Sequence, residues 1–595
     1  MENKLLSIAF KKMKEKNYDA YLLYLTNENL YEFTMPYDNY IVELTGFSGD
    51  TGVLLLFKNT AYLLVDGRFT IQAKREKNDK RIKVVEIDYT SNEFDFVNKI
   101  LKSNQRICVN SKKISIKKFF KLETAVKDKK AKLVCDEKFL EKEFIDIKKN
   151  CFRLTSSPLF LLGKEYVSKN TKNKIDEIFD NGDEYYITSS LEEIAYITNL
   201  RYRFCDINDH GVLFYAFMIL SKRHSVLYTN DYLEEDAYKY ISNSNIEIKK
   251  YSCFYDDLKK IKNKKKVLLD GKINNYYIFK TLGLKKNELI VSPLIITMSI
   301  KGKKEILNIR KANIIDGVAV TKTIYNIKKN LLKDEFEVAA MVDELRKKIG
   351  RNKFLCRSFE TIVAYKENSA ICHYVPRKGK CKKLKYDSLL LIDSGGHYLY
   401  GTTDVTRTIS LYKSKIPNEV KKNYTIVLNS MFKLAVQRFL YGTTGSELDI
   451  VARQNMYNEY LDFAHGTGHG IGYISNVHDG PNRIGPGIAP NYMYNVLEIG
   501  QLLSDEPGLY FENKYGIRIE NDLLVAKDKE NKYGEFLKFD IMTLAPFDMD
   551  LIDEKYLDYD VKKCLNDYNK KVYNVISKHL NAEEKKWLKT MTKSI

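Results

Sequence analysis

No C-x-x-C pair occurs in this 595-residue chain, although it carries nine cysteines, Cys108, Cys135, Cys151, Cys205, Cys253, Cys356, Cys372, Cys381 and Cys564. An odd number of scattered thiols argues against both a zinc ribbon and a disulfide framework. No apolar run approaches the roughly 20 residues that a bilayer-spanning helix needs. The opening stretch MENKLLSIAFKKMKEKNYDA alternates charged and apolar groups at helical spacing, without the continuous apolar stretch of a secretion signal. These absences lead us to expect a soluble, reduced, cytoplasmic protein with no membrane partner. Phosphate-loop patterns are missing as well: the glycine-rich segment HGTGHGIG matches neither G-x-G-x-x-G nor G-x-x-x-x-G-K-[ST].

What is present sets the other limits. Apolar residues make up 44% and aromatic residues 12% of the chain, enough for several cores and more than one domain. Lysine and arginine number 98 against 78 aspartates and glutamates, a net +20 that could attract nucleic acid. Charges of both signs are interspersed throughout, however, so lysine reads as the default solvated residue and no nucleic-acid partner is expected.

The order of elements is alternating α/β at the start. A helix over 1–17, strand AYLLYL, paired strands GFSGDTGVLLLF and TAYLLVDGRF, strand KVVEI, a helix near 92–103 and strand RICVN make a first α/β domain over residues 1–155. A helix over 166–182, strand EYYITS, helix LEEIAYITNL, strands GVLFYAFMIL, SVLYTN and KVLLD, extended YSC near 251 and LIVSPL repeat the scheme over 156–302. Beyond residue 303, amphipathic helices at about 304–328 and 334–349 lead into a third domain over 303–595. The chemistry concentrates there: five of the eight histidines, His373, His397, His465, His469 and His478, fall between 373 and 478.

Four carboxylates and one imidazole in that domain outline a two-metal site. SLLLIDSGGHYLYGTTDVTRTISLY places Asp393 at the end of an apolar strand, Gly395-Gly396 at a turn and Asp404 near the start of the returning strand. Two facing carboxylates are costly to bury unless a cation lies between them or one is protonated. Taken singly, each aspartate could equally cap a turn or pair with Arg407. In FAHGTGHGIGYISNVHDGP, alternating Gly466, Gly468, Gly470 and Gly472 allow close backbone approach around His465 and His469. Then Glu506 precedes a Pro-Gly turn, and Glu520 follows Arg518 on the next strand of an alternating apolar pattern. Hard oxygen ligands with one nitrogen suit a pair of Mn²⁺-like ions, and two such ions can activate one water. Hydrolysis is the expected chemistry.

Together these motifs make the chain resemble the aminopeptidase P family of Xaa-Pro aminopeptidases, peptidase family M24, with the pita-bread fold that prolidase, creatinase and methionine aminopeptidase share. The resemblance is carried by GFSGDTG, VDGRF, LEEIAYITNLR, ICHYVP, LIDSGGHYLYGTTDVTRT, HGTGHGIGYISNVHDGP, SDEPGLY and YGIRIEN, and the length matches the long, three-domain cytosolic type. It implies two creatinase-like N-terminal α/β domains followed by an α+β pita-bread metallopeptidase domain, and a homodimer. It also implies that Asp404, His469, Glu506 and Glu520 hold one ion while Asp393, Asp404 and Glu520 hold the other. Mn²⁺ is the expected metal, with Co²⁺, Zn²⁺ or Fe²⁺ accepted by the same ligands. His373 and His478 become the catalytic, substrate-binding histidines, His465 a further substrate-binding residue, and Arg518 a support that orients carboxylates. In the implied reaction, metal-activated hydroxide attacks the carbonyl before proline while Glu506 takes a proton. Prolidase is the nearest alternative and a non-catalytic pita-bread binding module a more distant one; the intact ligand set argues against metal-free creatinase chemistry. The chain departs from the family pattern before His373, where it reads AYKENSAICHYVP without the usual glycine, and at Tyr202, where glycine is usual.

Overall fold

A computed structural model describes residues 2–34, 38–88, 91–144, 158–179, 184–203, 211–262, 266–330, 332–487 and 496–595. These residues pack as two compact units, one formed by Met1–Leu162 with Lys169–Leu294, the other by Gly163–Ser168 with Ile295–Ile595. Among the described residues no helix is long and apolar enough to cross a membrane.

The first unit holds two sheets. One is six-stranded, in the order Ile82–Glu86, Thr60–Val65, Val53–Phe57, Ala20–Tyr24, Arg106–Val109, Lys132–Cys135. Period-2 alternation decides which core each side chain joins: Leu54 and Leu56 pack with Leu6, Phe10 and Leu23, while Leu55 packs on the opposite face with Leu22, Val97 and Leu122. The other sheet is five-stranded, in the order Ile246–Lys249, Ser225–Tyr228, Phe217–Leu220, Glu184–Thr188, Lys266–Leu269. Buried Asn29 stitches the two sheets together, its Nδ2 donating to the carbonyls of Ser189 at 3.0 Å and Ala216 at 2.7 Å while its Oδ1 accepts from the Tyr251 hydroxyl at 3.0 Å. Tyr276 stacks on Phe119 across the same seam. These bonds join the two sheets within one compact unit.

Several elements differ from expectation, each for a local reason. The helix expected over 166–182 is only Thr171–Asp176, started by Asn170, whose side chain accepts from the Asn173 amide. Tyr166 belongs instead to the second unit, where its carbonyl accepts from Tyr473 at 2.7 Å and its hydroxyl from Lys353 at 3.0 Å; residues 180–182 lie outside the described residues, as do Cys151 and Cys205. The segment near 251 is a 3-10 turn, Tyr251–Cys253, feeding a helix rather than a strand. LIVSPL contributes a single bridge, Asp270 to Ile290, before the helix Leu294–Ser299.

One buried carboxylate in the first unit yields a pH prediction. Glu193 is 4% exposed and accepts from Tyr186 at 2.7 Å and from the Ser292 hydroxyl. Burial raises its pKa to about 7, against the downward pull of hydrogen bonds from Ser292, Thr188 and Tyr186. The folded protein therefore keeps a proton that the unfolded chain loses near the ordinary carboxylate pKa. The stability this contributes is present below that value and is lost as pH rises toward the folded pKa, a change on the order of 3 kcal/mol at about 1.4 kcal/mol per unit. Glu193→Gln should flatten the decline in thermal midpoint between about pH 5 and about pH 8. An unchanged slope would show that Glu193 does not titrate there.

In the second unit, the helices Lys303–Lys329, Glu335–Gly350, Asn418–Ala435, Gly445–Tyr457 and Tyr559–Ile576 surround the strands that carry the candidate ligands. Leu389–Ser394 pairs antiparallel with both Ile362–Tyr365 and Val405–Ser410. A six-stranded sheet runs Phe439–Leu440, Gly534–Ile541, Asn521–Asn531, Leu502–Asp505, Gly468–Gly470, Asp479–Ile484. The helix Asn418–Ala435 contributes Tyr424, Val427, Leu428, Met431 and Phe432 to a core shared with Ile517, Ile519 and Phe547. Each such fully buried side chain is worth roughly 1.5–3 kcal/mol of transfer free energy.

Candidate metal centre

The carboxylates stand where the ladders break. Asp393 lies one residue before the end of its strand, opposite Thr406, and Asp404 sits just ahead of Val405–Ser410. Glu506 follows Leu502–Asp505, and Glu520 occupies the gap between Tyr515–Arg518 and Asn521–Asn531. Gly395-Gly396 is not the expected turn. Gly396 is already paired in the short strand Gly396–Tyr398, and the chain reverses at Tyr398 and Gly401. Gly395 is required for packing, since a Cβ there would lie 2.0 Å from the Thr403 carbonyl oxygen. Gly468 is required in the same way, 1.9 Å from the Ser504 carbonyl, which lets the His469 strand close on the Glu506 strand.

Ligand atoms of Asp404, His469 and Glu520 all lie within 4.8 Å of one another. The His469 Nδ1 bonds the Gly470 carbonyl at 3.0 Å; because a carbonyl only accepts, Nδ1 carries the proton and Nε2 presents its lone pair. That Nε2 is 3.5 Å from both Asp404 Oδ2 and Glu506 Oε1. Such spacing suits donors that share an ion at about 2.0–2.2 Å. Glu520 is 1% exposed, and one of its oxygens accepts from the Thr406 hydroxyl at 2.7 Å.

The electrostatics call for positive charge. Burial, then Asp393, Asp522 and Glu506, push the Asp404 pKa well above the ordinary carboxylate range; burial, then Asp404, Glu506 and Asp393, do the same to Glu520. Arg518 supplies part of the compensation, its Nη2 meeting Asp393 Oδ2 at 2.5 Å. The other Asp393 oxygen, Oδ1, is buried with no protein hydrogen-bond partner. A buried, orphaned carboxylate oxygen beside three converging ligands is what a cation would satisfy, so the donor set fits a divalent metal pair.

Arg407 pairs with neither aspartate. It donates to the carbonyls of Thr406, Glu520, Ala545 and Pro546, to Asn521 Oδ1 and to the Tyr568 hydroxyl, so it fastens the Glu520 backbone. The turn-capping or arginine-paired reading of the aspartates therefore loses its arginine.

Of the remaining anticipated residues, His478 and His465 are connected to this set by their own rings, and His373 through the backbone of its neighbour. The His478 ring stands at 85° to that of His469, with centroids 4.4 Å apart. His373 follows Cys372, whose carbonyl accepts from Arg518 Nη2 at 3.2 Å. His465 bonds the Tyr510 hydroxyl at 2.8 Å through Nε2, and that hydroxyl accepts from Arg518 Nη1 at 2.9 Å. Sequence reasoning missed Tyr510, whose partners stand 45 and 8 positions away. It also missed Asp522, fully buried, with Oδ2 accepting from the Asp404 amide at 3.4 Å and Oδ1 unpartnered. Asp522 was detectable, because it stands two residues after Glu520, where an extended chain repeats its face.

Comparison with known proteins places this geometry in context. The family model Metallopeptidase family M24 matches residues 308–527, and the C-terminal region of peptidase M24 matches 535–595. Two Creatinase/Prolidase N-terminal domain models match 9–138 and 153–305. A protein of Pyrenophora teres f. teres described as probable Xaa-Pro aminopeptidase P is 30% identical over 98% of this chain and 91% of its own length. One of the same description from Coprinopsis cinerea is 30% identical over 98% of this chain and 97% of its own. Among solved structures, the X-prolyl aminopeptidase of Caenorhabditis elegans, described as a cytosolic enzyme with a di-nuclear active site, is 27% identical and superposes with a TM-score of 0.91 over 99% of this chain and 100% of its own.

Proposed function

The chain belongs to metallopeptidase family M24, and on that footing we propose that it is a dimetal aminopeptidase that releases the first residue from peptides whose second residue is proline. The observation that carries this reading is the convergence of Asp404, His469 and Glu520 beside the orphaned Asp393 oxygen. Similarity over nearly the full length to proteins described as Xaa-Pro or X-prolyl aminopeptidases favours this activity over the dipeptidase action of prolidase. We assign residues 1–155 and 156–302 to the two N-terminal domains and 303–595 to the catalytic domain. A cytoplasmic homodimer is part of the same reading, the location supported by the cytosolic nematode relative.

Asp404, His469, Glu506 and Glu520 would hold one ion, and Asp393, Asp404 and Glu520 the other, with Mn²⁺ our choice for a set rich in hard oxygens. Bound there, a divalent pair supplies Lewis-acid chemistry, acidifying a water and polarising the scissile carbonyl. Glu506, half-buried and held by the Ser504 hydroxyl at 3.3 Å, would take the water's proton. His478 and His373 donate to the carbonyl oxygen as negative charge develops on it. Arg518 holds Asp393 in place, and Tyr510 passes that constraint on to His465.

The test compares an Xaa-Pro-Xaa tripeptide, an Xaa-Pro dipeptide and a proline-free tripeptide, using Mn²⁺-reconstituted protein with Asp404→Asn as control. Release of the first residue from the Xaa-Pro-Xaa peptide alone, lost in the variant, is the expected result. Preference for the dipeptide would make the protein a prolidase; no cleavage with any of the four metals would overturn the enzymatic reading.

A further inference from the structure

His373 sits in a turn whose two ends are tied to one carboxylate. Glu335, the first residue of the helix Glu335–Gly350, is fully buried, yet its donors are all neutral groups. Oε1 accepts from the Tyr365 amide at 2.7 Å and from Asn368 Nδ2 at 3.0 Å. Oε2 accepts from the Tyr374 hydroxyl at 2.7 Å and from the Lys382 amide at 2.7 Å. Every partner donates, so both oxygens act as acceptors; burial raises the pKa of the group, against the downward pull of the bonds from Lys382, Tyr365, Asn368 and Tyr374. Between Asn368 and Tyr374 the backbone closes on itself through Ile371 N to Asn368 O at 3.0 Å and Tyr374 N to Ile371 O at 3.2 Å. On its other side the turn meets the strand Tyr515–Arg518: the Gly516 amide donates to Ser369 Oγ at 2.6 Å and Arg518 to the Cys372 carbonyl.

We propose that Glu335 is a positioning residue for the reaction: by fixing Asn368 on one side of His373 and Tyr374 on the other, it holds that imidazole in register with the metal centre. The proposal rests on the functional reading above in assigning His373 to the substrate. The hydrogen bonds of Glu335 go to Tyr365, Asn368, Tyr374 and Lys382, so it acts through the shape of residues 365–382. Loss of its charge and geometry leaves the Tyr365 and Lys382 amides, the Asn368 side chain and the Tyr374 phenol competing for a weaker acceptor. A displacement of His373 by about 1 Å is enough to cost roughly a hundred-fold in rate.

The experiment is a double-mutant cycle on the full-length, Mn²⁺-loaded protein with an Xaa-Pro-Xaa substrate, accompanied by amide hydrogen exchange. Glu335→Gln should lower kcat by about 10- to 100-fold, leave the bound Mn²⁺ stoichiometry unchanged, and speed exchange within 366–382 but not within 389–410. In a His373→Ala background the same substitution should cost less than about two-fold, because the group it positions is already gone. An equal loss on both backgrounds, or unchanged exchange in 366–382, would overturn the proposal. If the wild-type chain cleaves no Xaa-Pro-Xaa peptide, the functional reading fails, and the exchange result alone decides whether Glu335 clamps the turn. Should Glu335→Gln not fold, Tyr374→Phe removes one donor and leaves the carboxylate; it must show a smaller loss with the same non-additivity.

Discussion

Glu520→Gln should lower kcat/KM by at least about a thousand-fold and release the metal, a loss of roughly 4 kcal/mol or more of transition-state stabilisation. The substitution keeps the shape of the side chain and an oxygen to accept from the Thr406 hydroxyl, which donates at 2.7 Å. What it removes is a charge that, in our assignment, both ions share. The stability effect should run the other way in chelated protein. Without metal, burial and then Asp404, Glu506 and Asp393 hold the Glu520 pKa well above the ordinary carboxylate range. The folded state then retains a proton the unfolded state has lost, so the stability of the chelated wild type falls as pH rises above the ordinary carboxylate pKa. Glu520→Gln relieves that repulsion and should raise the thermal midpoint of chelated protein at neutral pH, while wild type gains more than the variant on adding Mn²⁺. A ligand bound to the folded state at a hundred times its Kd stabilises by about 2.7 kcal/mol. Metal content after desalting, kcat/KM and the two melting curves check the prediction; full turnover with two ions per chain would remove Glu520 from the ligand set.

His478→Ala should cost about 10²- to 10³-fold in kcat, the scale expected when one donor to a developing oxyanion is lost. Metal content should not change. The His478 ring packs on His469 at 4.4 Å, but the tautomer of His469 is set by the Gly470 carbonyl, so the ligand keeps its orientation when its neighbour is truncated. The discriminating readout is the split between kcat and KM: a donor that acts in the transition state lowers kcat, whereas a residue that only lines the pocket raises KM. Full turnover with metals bound would rule out the assigned role.

The strands of the first unit were legible because β-branched and apolar runs such as VLLLF and TAYLLV are bounded by turn residues and buried on both faces. The helix expected over 166–182 is shortened because Asn170 caps its start and Tyr166 is held by Tyr473 some three hundred positions away. The Gly395-Gly396 pair looks like a turn for a related reason. Glycine marks either a left-handed backbone or a close approach, and only the Thr403 carbonyl at 2.0 Å from a would-be Cβ tells the two apart.

By itself the sequence determined the chemistry: Asp393, Asp404, His469, Glu506 and Glu520 in order, with the glycines that let their strands close, already imply hard-ligand metal binding and hydrolysis. Residue type and local pattern are enough for that, because donor atoms and strand alternation are properties of the chain. Tertiary structure alone decided which arginine serves which carboxylate. Arg407, beside Asp404 in sequence, turns to backbone carbonyls, while Arg518 crosses 125 positions to neutralise Asp393. It also decided that Glu335 gathers residues 365–382 around His373. A buried charge takes whatever partner the packed strands and helices bring within about 3 Å, and that choice is set by how separate elements close on one another rather than by the spacing of residues along any one of them.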